Sequence, residues 1–162
     1  MFERFTYRAR EVMKCANKEA QRLNCDHVHT EHILLGFVTG GCGVALTALK
    51  NLDVDLERIR GEVEKSVTPG PAQSSQAKLP QTPQAKKVIE YAIEEARLFE
   101  RGYVGTGEML LGVLREPEGF GGRILRNLGL DIDRLRDVVC TVGGKKEPLI
   151  EKDREMLDGT AE

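Results

Sequence analysis

Apolar residues recur every three or four positions near the start of the chain. Ala9, Val12, Met13, Ala16, Ala20 and Leu23 form one stripe, and Thr6 stands where an N-cap would. Such a stripe has to be buried against another element, so the pattern predicts a helix with a core face. A shorter, largely apolar helix follows from Glu31 to Val38, with Thr30 as its cap and Gly40-Gly41 as its stop. Val44 to Leu52 reads as a third helix, and Asp55 caps a fourth that carries Leu56, Ile59 and Val63 on one side.

The same arrangement then starts again. Thr6 falls on Thr82, 76 positions further on, and the offset continues without a gap. It carries Glu19-Ala20 onto Glu95-Ala96, Val28 and Thr30 onto Val104 and Thr106, and Leu34-Leu35-Gly36 onto Leu110-Leu111-Gly112. The pattern is that of a tandem duplication. In the second copy Thr82-Pro83 joins a cap to a first-turn proline, whose missing N–H has no helical partner to lose. The helix it opens is expected to run to about Arg101.

One four-helix unit of about 60 residues buries little core alone, so the two copies are expected to pack on each other. The predicted fold class is all-α, a pseudo-twofold bundle of two tandem four-helix repeats with eight helices. The domain spans residues 1–141, with repeat one at about 5–66, a linker at about 67–80 and repeat two at about 81–141. Thr68 to Pro80 is rich in Pro, Gly, Ser and Gln and reads as an extended, mobile connector; residues 142–162 read as a polar, flexible tail.

Composition narrows the function classes. With 24 Lys and Arg against 26 Asp and Glu, the net charge of -2 gives no long-range attraction to nucleic acid or to an anionic membrane, and neither is expected as a partner. No apolar run approaches the roughly 20 residues of a membrane span, and Met1-Phe2-Glu3-Arg4 lacks a secretory pattern, so a cytoplasmic location is expected. Cys15, Cys25, Cys42 and Cys140 form no C-x-x-C pair, and reduced thiols are the default.

Candidate chemistry is sparse. Cys25-x-His27-x-His29-x-x-His32 gathers all three histidines with a thiol, and thiolate and imidazole are the usual zinc ligands. The repeat puts Tyr103, Gly105 and Glu108 at the histidine positions, so no metal site belonged to the duplicated unit, and no metal or cofactor is expected. A small metal-dependent enzyme built on that cluster is the alternative of a different class. No phosphate-binding loop is present, since Gly143-Gly144-Lys145-Lys146 is too short to bring several N–H groups around a phosphate, so the chain carries no ATPase of its own. No nucleophile and base are placed by any motif; Cys42, among Gly40, Gly41 and Gly43, reads as a turn thiol, and no enzymatic activity is expected. Gly119-Phe120-Gly121-Gly122 reads as a loop between helices, with Phe120 either packed or offered to a partner.

Thr30-Glu31-His32-Ile33-Leu34-Leu35-Gly36, together with Met1-Phe2-Glu3-Arg4-Phe5-Thr6 and Arg115-Glu116-Pro117-Glu118-Gly119, resembles the Clp N-terminal domain family, and most of all the ClpC-type AAA+ unfoldases. The likeness covers about residues 2 to 140. It implies an eight-helix pseudo-symmetric bundle that sits ahead of ATPase modules and docks unfolding substrates or adaptor proteins for Clp-type proteolysis. This chain would then be a freestanding docking domain or a piece of a longer unfoldase, the former being favoured; an accessory subunit contacting the Clp ring or peptidase is the alternative.

The resemblance also implies a site. In ClpC-type relatives the acidic residue of the T-E-H motif is associated with phosphorylated arginine. A carboxylate can fork to a guanidinium while helix N-termini suit a phosphate. Here Glu31 holds that position, with Thr6 and Thr30 as neighbouring caps. The second half-site, Thr82, Thr106, Gly107 and Glu108, is read as degraded: glycine replaces the glutamate, and Glu108 lies one residue on, turned about 100° around a helix. A plainer reading makes Glu31 a first-turn carboxylate favoured by the helix dipole and the four threonines simple caps.

Overall fold

The computed structural model describes residues 3–40, 43–67, 70 and 77–143. Among them are eight helices, α1 (Tyr7–Arg22), α2 (Thr30–Gly40), α3 (Val44–Asn51), α4 (Leu56–Ser66), α5 (Pro83–Leu98), α6 (Thr106–Arg115), α7 (Phe120–Asn127) and α8 (Ile132–Gly143). The only other pairings are two isolated bridges among the described residues, so the fold is all-α as the periodicity predicts. None of these helices is by itself long and apolar enough to cross a membrane.

α2 and α6 form the centre. Ile33, Leu34 and Leu35 of α2 and Met109, Leu110 and Leu111 of α6 are wholly buried, each at the position its counterpart occupies in the other repeat. Each central helix lies against the long first helix of its own repeat, α1 or α5, and reaches across to the third helix of the other. The close approach needs a missing side chain. A Cβ on Gly36 would run into the Val12 carbonyl of α1, and one on Gly112 would run into the Val88 carbonyl of α5.

Four helices, α1, α3, α5 and α7, stop the same way. Asn24, Asp53, Glu100 and Gly129 take positive φ (55°, 58°, 55° and 92°). After α1 the Asn24 N–H bonds the Gln21 carbonyl and the Cys25 N–H the Ala20 carbonyl, the paired bonds of a Schellman end; Glu100 and Arg101 repeat them on Arg97 and Ala96. α5 therefore ends at Leu98 and not at about Arg101, because the backbone turns left-handed at Glu100 without a glycine to announce it.

The repeats are interlocked. Phe5 bridges to Val104 and Gln81 to Val28. The Thr6 N–H donates to the Val104 carbonyl at 2.9 Å, and the Thr82 N–H to the Val28 carbonyl at 3.1 Å. Each repeat's lead-in segment is thus tied to the loop before the other's second helix. Thr6 and Thr82 do cap their own helices, accepting from Ala9 and Ala85 at 3.1 Å each. Thr30 and Thr106 do not, which corrects the expectation for both. They are the first residues of α2 and α6, and their hydroxyls accept across the pseudo-twofold, Thr30 from the Gly121 N–H of α7 (2.8 Å) and Thr106 from the Ala45 N–H of α3 (3.1 Å). Gly119 and Gly43, the caps of α7 and α3, have no side chain to do this, so the other repeat supplies the acceptor.

Two further expectations change. The end of the linker is pinned rather than loose: Leu79 is buried, its N–H donates to Asn17 Oδ1 (2.8 Å), and the Ala77 carbonyl accepts from Asn17 Nδ2 (2.9 Å) and Gln21 Nε2 (3.0 Å). Phe120, Gly121 and Gly122 are the first turn of α7 and not a loop, with Phe120 half-buried against the core and Arg123 6.0 Å from its ring centre. The readings made for Cys42, for most of the linker and for the tail from Gly144 onward lie outside the described residues.

Candidate functional site

The start of α2 is built around a histidine. His29 precedes the helix and accepts its first bond, from the Ile33 N–H at 3.3 Å, while His32 reaches back to take the His29 N–H on Nδ1 at 2.9 Å. This is one half of a capping box, the back-bond to the N-cap N–H, with imidazole in place of the usual glutamate. An accepting Nδ1 places the ring proton on Nε2, which is buried without a hydrogen-bond partner. Burial, and then the charge of His29, push the His32 pKa down to about 4, so the ring is neutral at pH 7.

Next to it, Glu31 is half-exposed, and among the described residues no hydrogen bond or ion pair engages its carboxylate. Cys25 lies within its electrostatic reach. Burial first, then the charges of Glu31 and Asp26, raise the Cys25 pKa and keep it a thiol.

The start of α6 has the same backbone plan and different contents. Gly107, at the Glu31 position, is buried; a Cβ there would lie 2.8 Å from Val139 of α8 and 2.8 Å from Val44 of α3. The space for a side chain is already filled. Glu108, at the His32 position, is buried and takes Arg101 Nη1 at 2.8 Å, with Arg101 itself only 10% exposed. The guanidinium also lies 5.0 Å from the Phe99 ring centre and against Gly143. Cys25 and His32 thus stand at the positions of Arg101 and Glu108, two separate neutral side chains in one repeat and a buried ion pair in the other.

The fold also changes which threonine belongs with which helix start. Thr82 is held on Val28, three residues before Glu31, whereas Thr6 is held on Val104, three residues before Gly107. Thr30, Glu31 and Thr82 thus share one junction of the crossed lead-in segments, and Thr6, Thr106, Gly107 and Glu108 the other. Grouping Thr6 with Glu31, as nearness in sequence suggests, separates residues that the crossed lead-in segments join.

The histidine cluster does not converge. His27 Nδ1 pairs with Asp26 at 3.0 Å, His32 spends Nδ1 on backbone, and the His29 and His32 rings meet edge-on at 5.5 Å between centres. Among the described residues no group of three metal-ligating side chains is placed to hold an ion. Glu116, from the Arg115-Glu116-Pro117-Glu118-Gly119 segment, turns out to be structural. Its buried carboxylate accepts from the Glu118 N–H at 3.1 Å and from the Gly119 N–H, building the turn that enters α7. Sequence reading missed Val44, Val139 and Arg101, which close the second start; only the repeat alignment of Arg101 with Cys25 carried a signal.

Comparison with known proteins agrees with this architecture. The negative regulator of genetic competence ClpC/MecB of Bacillus subtilis (strain 168) is 44% identical over 147 residues, which cover 91% of this chain and 18% of that protein. The chain thus spans less than a fifth of the curated relative it matches. The N-terminal domain of the Clp-associated chaperone ClpD from Arabidopsis thaliana has a TM-score of 0.66 at 26% identity, covering 87% of this chain and 98% of the other. A ClpV N-domain solved in complex with a VipB peptide shares the fold, with a TM-score of 0.70 at 13% identity and coverage of 89% and 90%. The profile of the Clp repeat (R) N-terminal domain matches residues 4–128 and again residues 82–148, the second match opening on the threonine that starts the second copy. The chain belongs to the Clp repeat (R) N-terminal domain family.

Proposed function

We propose that this domain is a non-catalytic docking module for protein partners of a Clp-type unfolding or proteolytic machine, with one ligand subsite rather than two. The observation that carries the reading is the contrast between Glu31, half-exposed at the start of α2, and Gly107, covered by Val44 and Val139. The subsite consists of Glu31 with Thr30 and Thr82 beside it, and its ligand is an arginine side chain of a client protein, phosphorylated as the ClpC resemblance implies. The carboxylate forks to the guanidinium. Docking of this kind works by raising local concentration near the motor, without chemistry of its own.

The test is a fluorescence-anisotropy titration of a labelled phosphoarginine peptide against the wild-type chain and Glu31→Ala. The expected result is saturable binding by wild type and at least a tenfold weaker affinity in the variant. Equal affinities, or no binding by wild type, would remove the subsite.

A further inference from the structure

A groove of about 680 Å³ runs along the outer face of α1, with the extended segment Ala77–Gln81 as its opposite wall. Its floor is apolar, made by Tyr7, Met13, Val28 and Leu79. Its rim is cationic: Arg10, Lys14 and Lys18 come from α1 and Lys78 from the facing wall. One acidic residue, Glu11, lines the groove and lies 3.5 Å from Lys14, which is 70% exposed. Lys18 and Lys78 have no acidic partner among the described residues. The chain as a whole carries a net charge of -2, so this concentration of positive charge is local.

The second repeat does not carry this charge. At the positions of Lys14 and Lys18, α5 carries Glu90 and Glu94, which pair with Lys87 at 3.1 Å and Arg115 at 2.8 Å. Duplication does not require charge of the opposite sign on the two outer faces. The wall is fixed: Asn17 and Gln21 clamp Ala77, and the Val28 N–H donates to the Pro80 carbonyl as the Val104 N–H does to the Arg4 carbonyl in the other half. A preformed apolar trough with a predominantly cationic rim selects its occupant by charge and shape together.

We infer that the α1 groove is a second docking surface, and that its occupant is an extended, acidic peptide segment of a partner protein. An apolar side chain of that segment sits between Met13 and Leu79, and its carboxylates flank Lys14, Lys18 and Lys78. The surface is distinct from the Glu31 subsite, whose carboxylate would repel an acidic segment, so the two readings fail separately.

The probe is a fluorescein-labelled eight-residue peptide of glutamates with one central leucine, titrated at low salt. Controls are the same peptide with glutamine for every glutamate and the chain variant Lys14→Glu/Lys18→Glu, which copies the charges of α5 on an exposed face. A thermal melt of the variant confirms that it is folded. The expected result is saturable binding that weakens at least tenfold with the glutamine peptide, with the double variant or with 0.5 M salt, and that is unchanged in Glu31→Ala. No binding at low salt, equal binding of the glutamine peptide, or an undisturbed double variant would overturn it. So would self-association by ultracentrifugation that the double variant abolishes, since it would assign the groove to a second copy of the chain.

Discussion

In the first turn of α2 a half-exposed Glu31 stands beside a buried, neutral His32; in the first turn of α6, Gly107 lies under two valines and a buried Glu108 is held by Arg101. Both turns keep the threonine that caps a helix of the other repeat. What the duplication preserved is therefore the part that joins the repeats, and what diverged is the side-chain chemistry above it. A shared scaffold with one end closed is how a symmetric bundle comes to offer an asymmetric surface.

The comparison breaks hardest at the ion pair. Glu108→Ala leaves Arg101 charged in a nearly closed site, and stranding one member of a buried pair costs about 3–5 kcal/mol. His32→Ala removes a neutral ring and should cost less. Denaturant unfolding of the two variants checks the order; equal losses would mean that the two starts are energetically alike.

The next effect is one of pH. The His32 pKa is about 4 in the folded chain against an ordinary 6.5, so between those values the unfolded chain binds a proton that the folded chain refuses. Stability from this group is complete above pH 6.5 and is lost as pH falls from 6.5 towards 4, by about 3 kcal/mol in full. His32→Gln can still take the His29 N–H and should flatten the acid limb relative to wild type. An unchanged slope would show that His32 does not titrate in this way.

Filling the closed start comes third. Gly107→Glu, which copies repeat one, has to displace Val44 and Val139 and should destabilise by about 1–3 kcal/mol without adding a phosphoarginine site. A stable variant that binds two peptides would refute the closure. The smallest expected change is at the shared threonines. Thr30→Val and Thr106→Val each remove one cross-repeat cap, at about 1 kcal/mol, and the two losses should be similar because the geometry is. A loss confined to one would show that the interlock is also asymmetric.

Much of the scaffold is legible from the chain alone. The offset of 76 positions pairs the helices of the two copies, and Thr6, Asp55 and Thr82 cap the helices that follow them. The failures share a cause, which is that the deciding contact is remote. Thr30 looks like a local cap, yet its hydroxyl serves α7, 91 positions away. Residues 77–79 look like slack linker, yet Asn17, at a distance of 62 positions, pins Leu79. Glu100 ends α5 in a left-handed conformation usually marked by glycine. The site suffers most: Gly107 shows that a carboxylate is missing, but only the packing of Val44 and Val139 shows that nothing could take its place.

The central claim is that the start of α2 is open to a ligand and the start of α6 is closed. Isothermal titration of the intact chain with a phosphoarginine peptide tests it most directly, because the count of sites does not depend on which residues are credited. The account predicts one site per chain, lost in Glu31→Ala. Two sites per chain, or one that survives that substitution, would contradict it.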